Sequence, residues 1–570
     1  MLKATHRLNR KANARLDGAA AGVDGAADPA ATVRQMHDLK PFYITTAIDY
    51  SNGDPHIGHA LEKIGADSIA RYHRLRGYDV HFLMGMDEHG QKVTQAAAER
   101  GLSPQMLVDE IAATFQRVWA SLSISNDQFI RTTEPSHKTG VRALIERIFA
   151  RNPDDFYEQA YEGWYCIGCE LFKRQDEIVD GKCTLHPTRA LDWASERNWF
   201  FRLTRYQPFL QSLFSERPRF LEPESRRNEI LALIDRGLED ISVTRSRLIW
   251  AIPFPRPSSD GEHQGTWVWF DALPNYLTAT GFPGKEYETR WPANLHVIGK
   301  DITRLHCVVW PAMLESAGIA LPERVWAHGF VQVGGERLSK SAGVQLDLGE
   351  AIERYGADAF RYYLLRDVPF DGDGSFTFER FEERYTADLA NAFGNLASRA
   401  ISMIERYCGG VVPDSAGAIA ESEMADATDF AAYHQSMDGS NGYLPHEALR
   451  RVWLTVARAN AYVDRKAPWK LAKDPARRVE LEQTLWCLAR SLAMQAIHLA
   501  PFIPGKAEEL WEQLGAPGLA TECRILAESP TQPLLKCTTG ASARPLDPAG
   551  WRVSKGAPLF PKESRHDVTV

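Results

Sequence analysis

Hydrophobic residues around position 50 form a strand-length run and then recur at helical spacing after a short polar turn. The segment 41–47 is β-branched and aromatic, which predicts a buried strand. The next apolar positions have the i, i+4, i+7 spacing of one helical face: Ile57, Leu61 and Ile64. Between the two segments, Asp54 is suited to cap the helix and Pro55 to begin it. The pattern therefore predicts a strand, a tight loop and a helix.

Strand-like and helix-like patterns then alternate along the first half of the chain. Val80 to Gly85 and Leu295 to Gly299 are further buried strands, and Ile302 to Leu314 continues as a helix. Beyond residue 386 the pattern is helical, with Ala448 to Lys466 as its clearest segment. We therefore predict an α/β fold with a parallel sheet, followed by a helical bundle. Neither a GxGxxG fingerprint nor a Walker A lysine occurs, which disfavours dehydrogenases and P-loop enzymes.

Length, charge and cysteine content narrow the class of protein. A chain of 570 residues is too long for one core, and 44% hydrophobic and 25% charged residues are typical of globular proteins. The formal net charge of −8 argues against binding nucleic acid by bulk electrostatics, so an RNA partner needs a local basic face. No apolar run reaches membrane-spanning length, and the cysteine spacing is not that of a secreted disulfide framework. We expect a cytoplasmic protein in which residues 1–40 form a disordered extension without chemistry.

The predicted loop-to-helix junction carries two histidines, His56 and His59, on one helical face. Backbone N–H groups and the helix dipole attract anions at a helix N-terminus, and Gly58 leaves room for a nucleotide to approach. Two imidazole donors there suit a polyphosphate that gains charge as pyrophosphate leaves. Spacing alone leaves open that these histidines are surface residues or half of a metal site.

Polar and aromatic residues at the ends of later predicted strands are candidates for ligand binding. Asp87 and Asp301 each follow a strand, where ligands bind in open α/β sheets. Asp87 could hold an ammonium group or cap the following helix, and Asp301 could hold ribose hydroxyls. The aromatic segment Trp267–Tyr276 could equally be plain core.

A zinc-knuckle pattern begins near residue 166. Two pairs of ligands enclose a short charged stretch, the spacing of a closed tetrahedral zinc site: Cys166, Cys169, Cys183 and His186. With four protein ligands no position remains for an activated water, so we predict one structural Zn²⁺. Redox chemistry of the cysteines is the alternative.

The string Pro55-His56-Ile57-Gly58-His59 resembles the HIGH signature of class I aminoacyl-tRNA synthetases, and Arg337-Leu338-Ser339-Lys340-Ser341 resembles their KMSKS signature. The order of the two signatures, the intervening insertion and the helical tail fit the same family. The strings Gly85–Gly90, Trp267–Tyr276 and Ile298–Asp301 narrow the resemblance to its methionine-specific members. Arg337 replaces the first signature lysine and keeps its charge, while Lys340 is intact.

The resemblance implies an enzyme that joins methionine to tRNA at the expense of ATP. It assigns catalysis to His56, His59 and Lys340, and ATP with Mg²⁺ to His56, Gly58, His59, Glu62, Gly299, Asp301 and Lys340. It assigns the methionine side chain to Ala47, Ile48, Tyr50, Trp269, Ala272, Leu273, Tyr276, Ile302 and His306, and the ammonium group to Asp87. Aromatic walls suit a polarizable thioether. Asp49 occupies a turn position whose role the resemblance does not define.

The resemblance also implies partners and a domain order. Asn395, Arg399 and Trp469 match positions that read the CAU anticodon, although Trp469 could be a core residue. Initiator and elongator tRNA(Met) are the expected partners, and a monomer without membrane attachment is the expected state. After the extension 1–40 come catalytic halves 41–157 and 245–320 around the zinc insertion 158–244. A stem-contact region 321–385, an anticodon-binding domain 386–515 and a tail 516–570, packed back near 558–562, complete the order.

Two other functions remain open at this point. A nucleotidylyltransferase could use the HIGH-like loop without tRNA, but the helical region and the zinc insertion speak against it. A non-catalytic RNA-binding paralogue is the other alternative, although His56, His59 and Lys340 are all present.

Overall fold

The computed structural model describes residues 39–561, apart from 52, 167–170, 174, 185, 247, 260, 334–335, 338–347, 415–426, 526–533 and 536–543. Within this part, the central element is a sheet of seven parallel strands. In chain order they are β1 Pro41–Thr46, β2 Asp49–Tyr50, β3 Asp79–Asp87, β4 Gln128–Arg131, β5 Leu221–Glu222, β6 Leu295–Gly299 and β7 Val325–His328. The strand order is β5-β7-β6-β1-β3-β2, and β4 also pairs with β3.

Alternate residues of β1 face two different hydrophobic cores. Phe42 and Ile44 pack with the first helix and the helical region, while Tyr43 packs mainly with residues between positions 130 and 327. A parallel sheet is stable only when both faces are covered, which explains the near-continuous apolar sequence of these strands. The predicted α/β class with a following helical region is confirmed.

Helices cover the sheet between its strands. In chain order they are Ile57–Leu75, Gln91–Glu99, Pro104–Ser121, Pro135–Arg151, Gln207–Glu216, Glu224–Asp235, Val268–Ala272, Asn275–Thr278 and Trp310–Ala317. A π-helical segment, Leu305–Val309, precedes the last of these. The first helix begins at Ile57 with His56 as its N-cap, so the predicted start at Asp54 and Pro55 is wrong. The side chains of His56 and His59 satisfy the cap, and Asp54 is not needed for it.

An antiparallel insertion divides the two halves of the central sheet. Its larger sheet contains Phe156–Cys166, Leu171–Lys173, Asp192–Phe201 and Ile241–Ser242. A smaller sheet contains Ile178–Val179, Lys182–Cys183 and His186–Ala190. The base of the insertion packs on the helix Val268–Ala272, because the Phe156 and Phe270 rings lie 6.0 Å apart.

The second half of the chain is mainly helical. It begins with a small sheet of three strands, Val331–Val333, Glu336–Arg337 and Gly374–Phe376. Two helices, Leu348–Tyr355 and Ala357–Asp367, lie between the second and third of these strands in the chain, and the helix Phe378–Arg384 follows the third. The π-helical segment Tyr385–Gly394 leads into Asn395–Cys408, Ala427–Met437, Pro445–Lys466, Pro468–Leu471, Arg478–Leu499 and Pro504–Gln513. The part of the chain described here includes no helix long and apolar enough to cross a membrane.

Buried contacts tie the helical region to the rest of the chain. Arg361 is fully buried, pairs with Asp67 of the first helix at 2.7 Å, and donates to the carbonyls of Leu122, Pro501 and Phe502. The end of the described chain also returns to these helices. Phe560 is buried with its ring 6.4 Å from that of Phe393, and Tyr385 donates to the Pro561 carbonyl at 2.9 Å.

Candidate active site

The carboxyl ends of β1, β3 and β6 meet at one edge of the central sheet. Ala47 follows β1 and donates its N–H to the Val297 carbonyl of β6, and Asp87 ends β3. Gly299 ends β6, and Ser51 donates its N–H to the Asp87 carbonyl. Ligands of open α/β sheets bind at this edge, where neighbouring connections leave β1 in opposite directions. The fold therefore brings the predicted amino-acid and nucleotide segments together.

His56 and His59 form a reciprocal cap at the N-terminus of the first helix. His56 Nδ1 accepts from the Gly58 N–H at 3.1 Å, and His59 Nδ1 accepts from the His56 N–H at 3.2 Å. The two rings are stacked with centroids 3.7 Å apart. Because both Nδ1 atoms accept, each neutral ring carries its hydrogen on Nε2. The cap thus fixes two Nε2–H groups at the positive end of a helix dipole, where an anion is favoured.

Gly58 lies in close contact with the His56 ring. A Cβ at position 58 would lie 3.0 Å from His56 Cε1 and 3.1 Å from His56 Nδ1, which is tighter than ordinary packing. A side chain at this position would therefore require the His56 ring to shift by a few tenths of an ångström.

The residues predicted to surround the methionine side chain share one hydrophobic cluster. Its members from this set are Ala47, Ile48, Tyr50, Trp269, Leu273, Tyr276 and Ile302, and Ala272 is buried beside them. His306 Nε2 lies 2.7 Å from the Tyr276 hydroxyl, and His306 Nδ1 lies 3.1 Å from the Ile302 carbonyl. The Nδ1–H donates to the carbonyl, so Nε2 accepts from the tyrosine.

This polar pair is uncharged. Burial lowers the pKa of His306 to about 4, and burial together with nearby carboxylates raises the pKa of Tyr276. The carboxylates that act on Tyr276 are those of Glu62, Asp49 and Asp87. The pocket wall is therefore neutral and partly aromatic, while carboxylates surround it. That combination suits an apolar side chain attached to an ammonium group.

A buried charged network lies beside this pocket, and the hydrophobic pattern did not predict it. Lys63 Nζ contacts Asp49 Oδ1 at 2.9 Å, Glu62 Oε1 at 2.6 Å and the Ala47 carbonyl at 2.8 Å. Glu62 Oε2 in turn meets His328 Nε2 at 3.1 Å. Lysine on a helix is ordinarily exposed, so only the fold identifies Lys63 as part of the site.

The network keeps Lys63 and Glu62 charged. Burial alone lowers the pKa of Lys63 and raises that of Glu62. The Asp49 and Glu62 carboxylates outweigh burial at Lys63, while Lys63 and His328 outweigh it at Glu62. The pKa of Lys63 is therefore raised and that of Glu62 lowered. At Asp49 burial dominates over the opposing charge of Lys63 and raises the pKa to about 7.

We expect replacement of Asp49 by asparagine to change the pH dependence of stability. The folded-state pKa of Asp49 lies above its ordinary value of 3.8, so folding favours its protonated form. The parent protein therefore loses stability through this carboxyl as pH rises from about 4 to about 7, whereas the Asp49→Asn variant has no carboxyl to ionise there. Chemical unfolding at pH 5 and pH 8 should show that the free energy of unfolding of the variant, relative to that of the parent, is higher at pH 8 than at pH 5.

The matched control for this prediction is Asp54, an exposed aspartate that follows β2 in the chain. Asp54→Asn should follow the parent at both pH values, since its side chain is in solvent. A pH-independent difference between Asp49→Asn and the parent would contradict the raised pKa of Asp49.

Asp271 connects the segment that follows β3 to the helix Pro135–Arg151 through two buried histidines. Asp271 Oδ2 lies 2.6 Å from His89 Nδ1, and its Oδ1 lies 2.9 Å from His137 Nε2. Burial alone raises the pKa of Asp271, but the two histidines lower it to about 2. The segment after β3 is thereby held against the aromatic segment that contains Trp269. The helix after Asp87 has Gly90 as its N-cap without a side-chain bond, so the capping role for Asp87 is not observed.

The nucleotide-side residues at the end of β6 are close together. A Cβ on Gly299 would lie 2.7 Å from Asp301 Oδ1, so glycine allows this carboxylate to fold back. Lys300 pairs with Asp373 at 2.6 Å, which attaches the turn to the segment before strand Gly374–Phe376. Lys340 lies outside the described residues, and only the backbone of Arg337 is described.

The three predicted anticodon residues lie in the helical region. Asn395 is exposed, Arg399 is half-buried, and the Trp469 side chain is 39% exposed. The Arg399 guanidinium lies 5.8 Å from the Trp469 ring centroid and pairs with Asp464 at 3.1 Å. Arg399 and Trp469 thus form one accessible surface, and Trp469 is not a core residue.

Two of the four predicted zinc ligands can be described with their side chains. Cys166 and Cys183 are buried in a small cluster with Leu191. Cys183 pairs with His186 in the smaller sheet, but the His186 side chain and Cys169 lie outside the described residues. Within the described part no group of three or more potential ligands occurs.

Comparison with known proteins gives consistent matches over most of the chain. A family model described as tRNA synthetases class I (M) matches residues 42–193 and 174–401. The curated methionine–tRNA ligase of Caldanaerobacter subterraneus is 41% identical over 532 residues, covering 92% of this chain and 79% of that protein. The Brucella suis methionine–tRNA ligase is 42% identical over 515 residues, covering 89% and 97%.

A solved structure is similar over the same length. The structure of Mycobacterium tuberculosis methionyl-tRNA synthetase in complex with methionyl-adenylate has a TM-score of 0.82 to this chain at 37% identity. The similarity covers 92% of this chain and all of that one.

Proposed function

This chain belongs to the methionyl-tRNA synthetases, the class I ligases for methionine, and from that premise we propose which residues carry its reaction. In the first step the methionine carboxylate attacks the α-phosphate of ATP, and pyrophosphate leaves. In the second step a hydroxyl of the 3′-terminal ribose of tRNA(Met) attacks the carbonyl carbon of the adenylate, and AMP leaves. The observation that carries this assignment is the combination of the neutral His306–Tyr276 pair with the helix cap formed by His56 and His59.

Methionine is recognised by an uncharged polar pair within aromatic walls. The thioether of methionine is polarizable and apolar, so the neutral rings of Tyr276 and His306 suit it better than a charged group would. Asp87 lies at the end of β3, where it is placed to hold the substrate ammonium. Trp269 stands nearly perpendicular to the His306 ring at 6.4 Å and is placed to form a wall.

ATP binds on the other side of the sheet edge, against the first helix. His56 and His59 donate from Nε2 to phosphate oxygens that gain charge as pyrophosphate departs, and Lys340 adds a third donor. Gly58 allows the nucleotide to approach, while Glu62, Gly299 and Asp301 position it. Mg²⁺ that accompanies ATP neutralises the phosphate charge when it is bound.

The test of this function is amino-acid-dependent exchange of pyrophosphate into ATP across the standard amino acids. Methionine alone should support exchange, and the enzyme should then charge tRNA that carries a CAU anticodon. Exchange without tRNA charging would favour a nucleotidylyltransferase, and absence of exchange would favour the RNA-binding alternative.

We propose that Trp469 and Arg399, with Asn395, read the anticodon of initiator and elongator tRNA(Met). An exposed indole with a guanidinium beside it suits unstacked loop bases. Loss of a stacking aromatic costs about 1–3 kcal/mol, so Trp469→Ala should weaken tRNA charging roughly fivefold or more. Pyrophosphate exchange should stay near the parent value, because it requires only methionine and ATP.

The conservative variant Trp469→Phe is the control for stacking and should retain most of the charging activity. The melting temperature of Trp469→Ala should remain close to that of the parent. Equal loss of exchange and charging in this variant would contradict an anticodon role.

Zinc is proposed as a structural ion held by Cys166, Cys169, Cys183 and His186. Cys166 and Cys183 are buried thiols in a cluster too small to fold the insertion by itself. Cys166→Ala should therefore lose zinc and destabilise the insertion, while folded metal-free enzyme keeps part of its exchange activity. Metal content by atomic absorption and protease sensitivity of the insertion are the measurements.

The buried Cys487 of the helical region provides a matched cysteine for this experiment. Cys487→Ala should keep its zinc. Exchange activity that strictly follows zinc content would contradict the structural assignment.

We further propose that the enzyme is a monomer that works in the cytoplasm. Light scattering of the purified protein tests the monomer state.

A further inference from the structure

Lys63 uses all of its hydrogen-bonding capacity inside the protein. Its side chain is 0% exposed, and its ammonium contacts the Ala47 carbonyl, Asp49 Oδ1 and Glu62 Oε1 at 2.8, 2.9 and 2.6 Å. An ammonium group has three donors and no acceptor. The three contacts therefore use all three donors of Lys63. A buried lysine with this geometry has no donor left for substrate.

The three partners of Lys63 belong to two different substrate positions. Ala47 lies on the methionine side, at the end of β1. Asp49 starts β2, whose register pairs Asp49 with Met86 and Tyr50 with Asp87. Glu62 lies on the ATP side, on the first helix. One ammonium group thus joins the loop that forms the methionine pocket to the helix that presents His56 and His59.

Glu62 extends the connection to the strand that precedes the second signature. Its Oε2 meets His328 Nε2 at 3.1 Å, and His328 Nδ1 lies 2.7 Å from the Gly329 carbonyl. His328 ends β7, and its ring stacks on Phe370 at 5.7 Å. A shift of Glu62 would therefore be felt at both the methionine loop and the end of β7.

We propose that Lys63 is a positioning residue that couples the methionine pocket to the ATP site by holding the 47–50 loop against Glu62. This inference rests on the proposed function, because it assigns the two sides of the network to methionine and ATP. A substrate that contacts one side of the Lys63 network is thereby linked to the position of the residues on the other side. Lys63 itself does not touch a reacting atom.

A purely structural role for the same residue makes a different prediction. Loss of a buried ion pair lowers stability wherever the pair is. Only a positioning role also changes how strongly one substrate affects the binding of the other. The decisive quantity is therefore the ratio of methionine dissociation constants without and with a non-hydrolysable ATP analogue.

The experiment measures this ratio by calorimetry for the parent and for Lys63→Met, at a temperature where both are folded. We expect the analogue to tighten methionine binding in the parent, and Lys63→Met to reduce this effect roughly fivefold or more. Asp49→Asn, which keeps Lys63 but weakens one contact, should give an intermediate ratio and remains informative if Lys63→Met does not fold.

Arg71→Met is the matched control from the same helix. Arg71 pairs with Asp67 at 2.8 Å but contacts no residue of the pocket, so this variant should lose stability and keep the parent ratio. The inference would be overturned if Lys63→Met or Asp49→Asn had the same ratio of methionine dissociation constants as the parent. It would also be overturned if the ATP analogue did not change methionine binding in the parent. A parent without methionine-dependent exchange would instead overturn the proposed function.

Discussion

Replacing His59 by asparagine lowers the single-turnover rate of adenylate formation by about 10²–10³-fold, the effect of losing one preorganised donor at a developing charge. The asparagine Oδ1 can still accept from the His56 N–H, as His59 Nδ1 does at 3.2 Å. The helix cap is thereby kept, and the Nε2–H donor is lost. Rapid-quench measurement of adenylate and a melting curve should show a slow but stable enzyme.

Glutamine at the same position provides the opposite change. Its amide nitrogen reaches the place of His59 Nε2 only when its Oε1 is turned away from the His56 N–H, so one glutamine side chain cannot donate to phosphate and complete the helix cap at the same time. His59→Gln should therefore retain more of the rate and lose about 1 kcal/mol of stability, the usual cost of a missing helix cap. A fast asparagine variant together with a slow glutamine variant would mean that His59 acts only through the cap.

Replacing Lys340 by alanine should reduce adenylate formation by a similar factor of about 10²–10³. The ammonium group would stabilise charge on the departing pyrophosphate, which is absent from bound methionine. Methionine affinity, measured by calorimetry without ATP, should therefore stay near the parent value. Because Lys340 lies outside the described residues, its role rests on its place in the second signature.

Arg337→Lys is the matched control within the same signature. It exchanges one cation for another, so we expect a rate close to that of the parent. A normal single-turnover rate in Lys340→Ala would show that this lysine does not act on the transition state.

The sequence was sufficient to predict elements in which an apolar run is followed directly by a polar residue suited to bind a ligand. The apolar strands β1, β3 and β6 could be predicted because both of their faces are buried, and their ends identified Asp87 and Asp301. The helix start could not, because capping by the His56 ring depends on side-chain geometry that no residue preference for serine, threonine or aspartate reveals.

The charged network could not be predicted for a different physical reason. The burial of Lys63 depends on two carboxylates that contact its ammonium group. Asp49 of β2 supplies one, and Glu62, the neighbouring residue on the same helix, supplies the other. Sequence spacing shows neither contact, and an isolated lysine in a helix is normally solvated. The Asp271 contacts with His89 and His137 likewise join residues far apart in the chain.

The contact between Phe560 and Phe393 has a consequence for synthesis on the ribosome. Domains tend to fold from the N-terminus as the chain emerges, but Phe560, which covers Phe393, is translated long after Phe393 itself. The helical region therefore completes its core only after residue 560 has been translated. A premature stop codon shortly before residue 560 would leave every proposed catalytic residue encoded, yet expose this aromatic surface to chaperones and proteases.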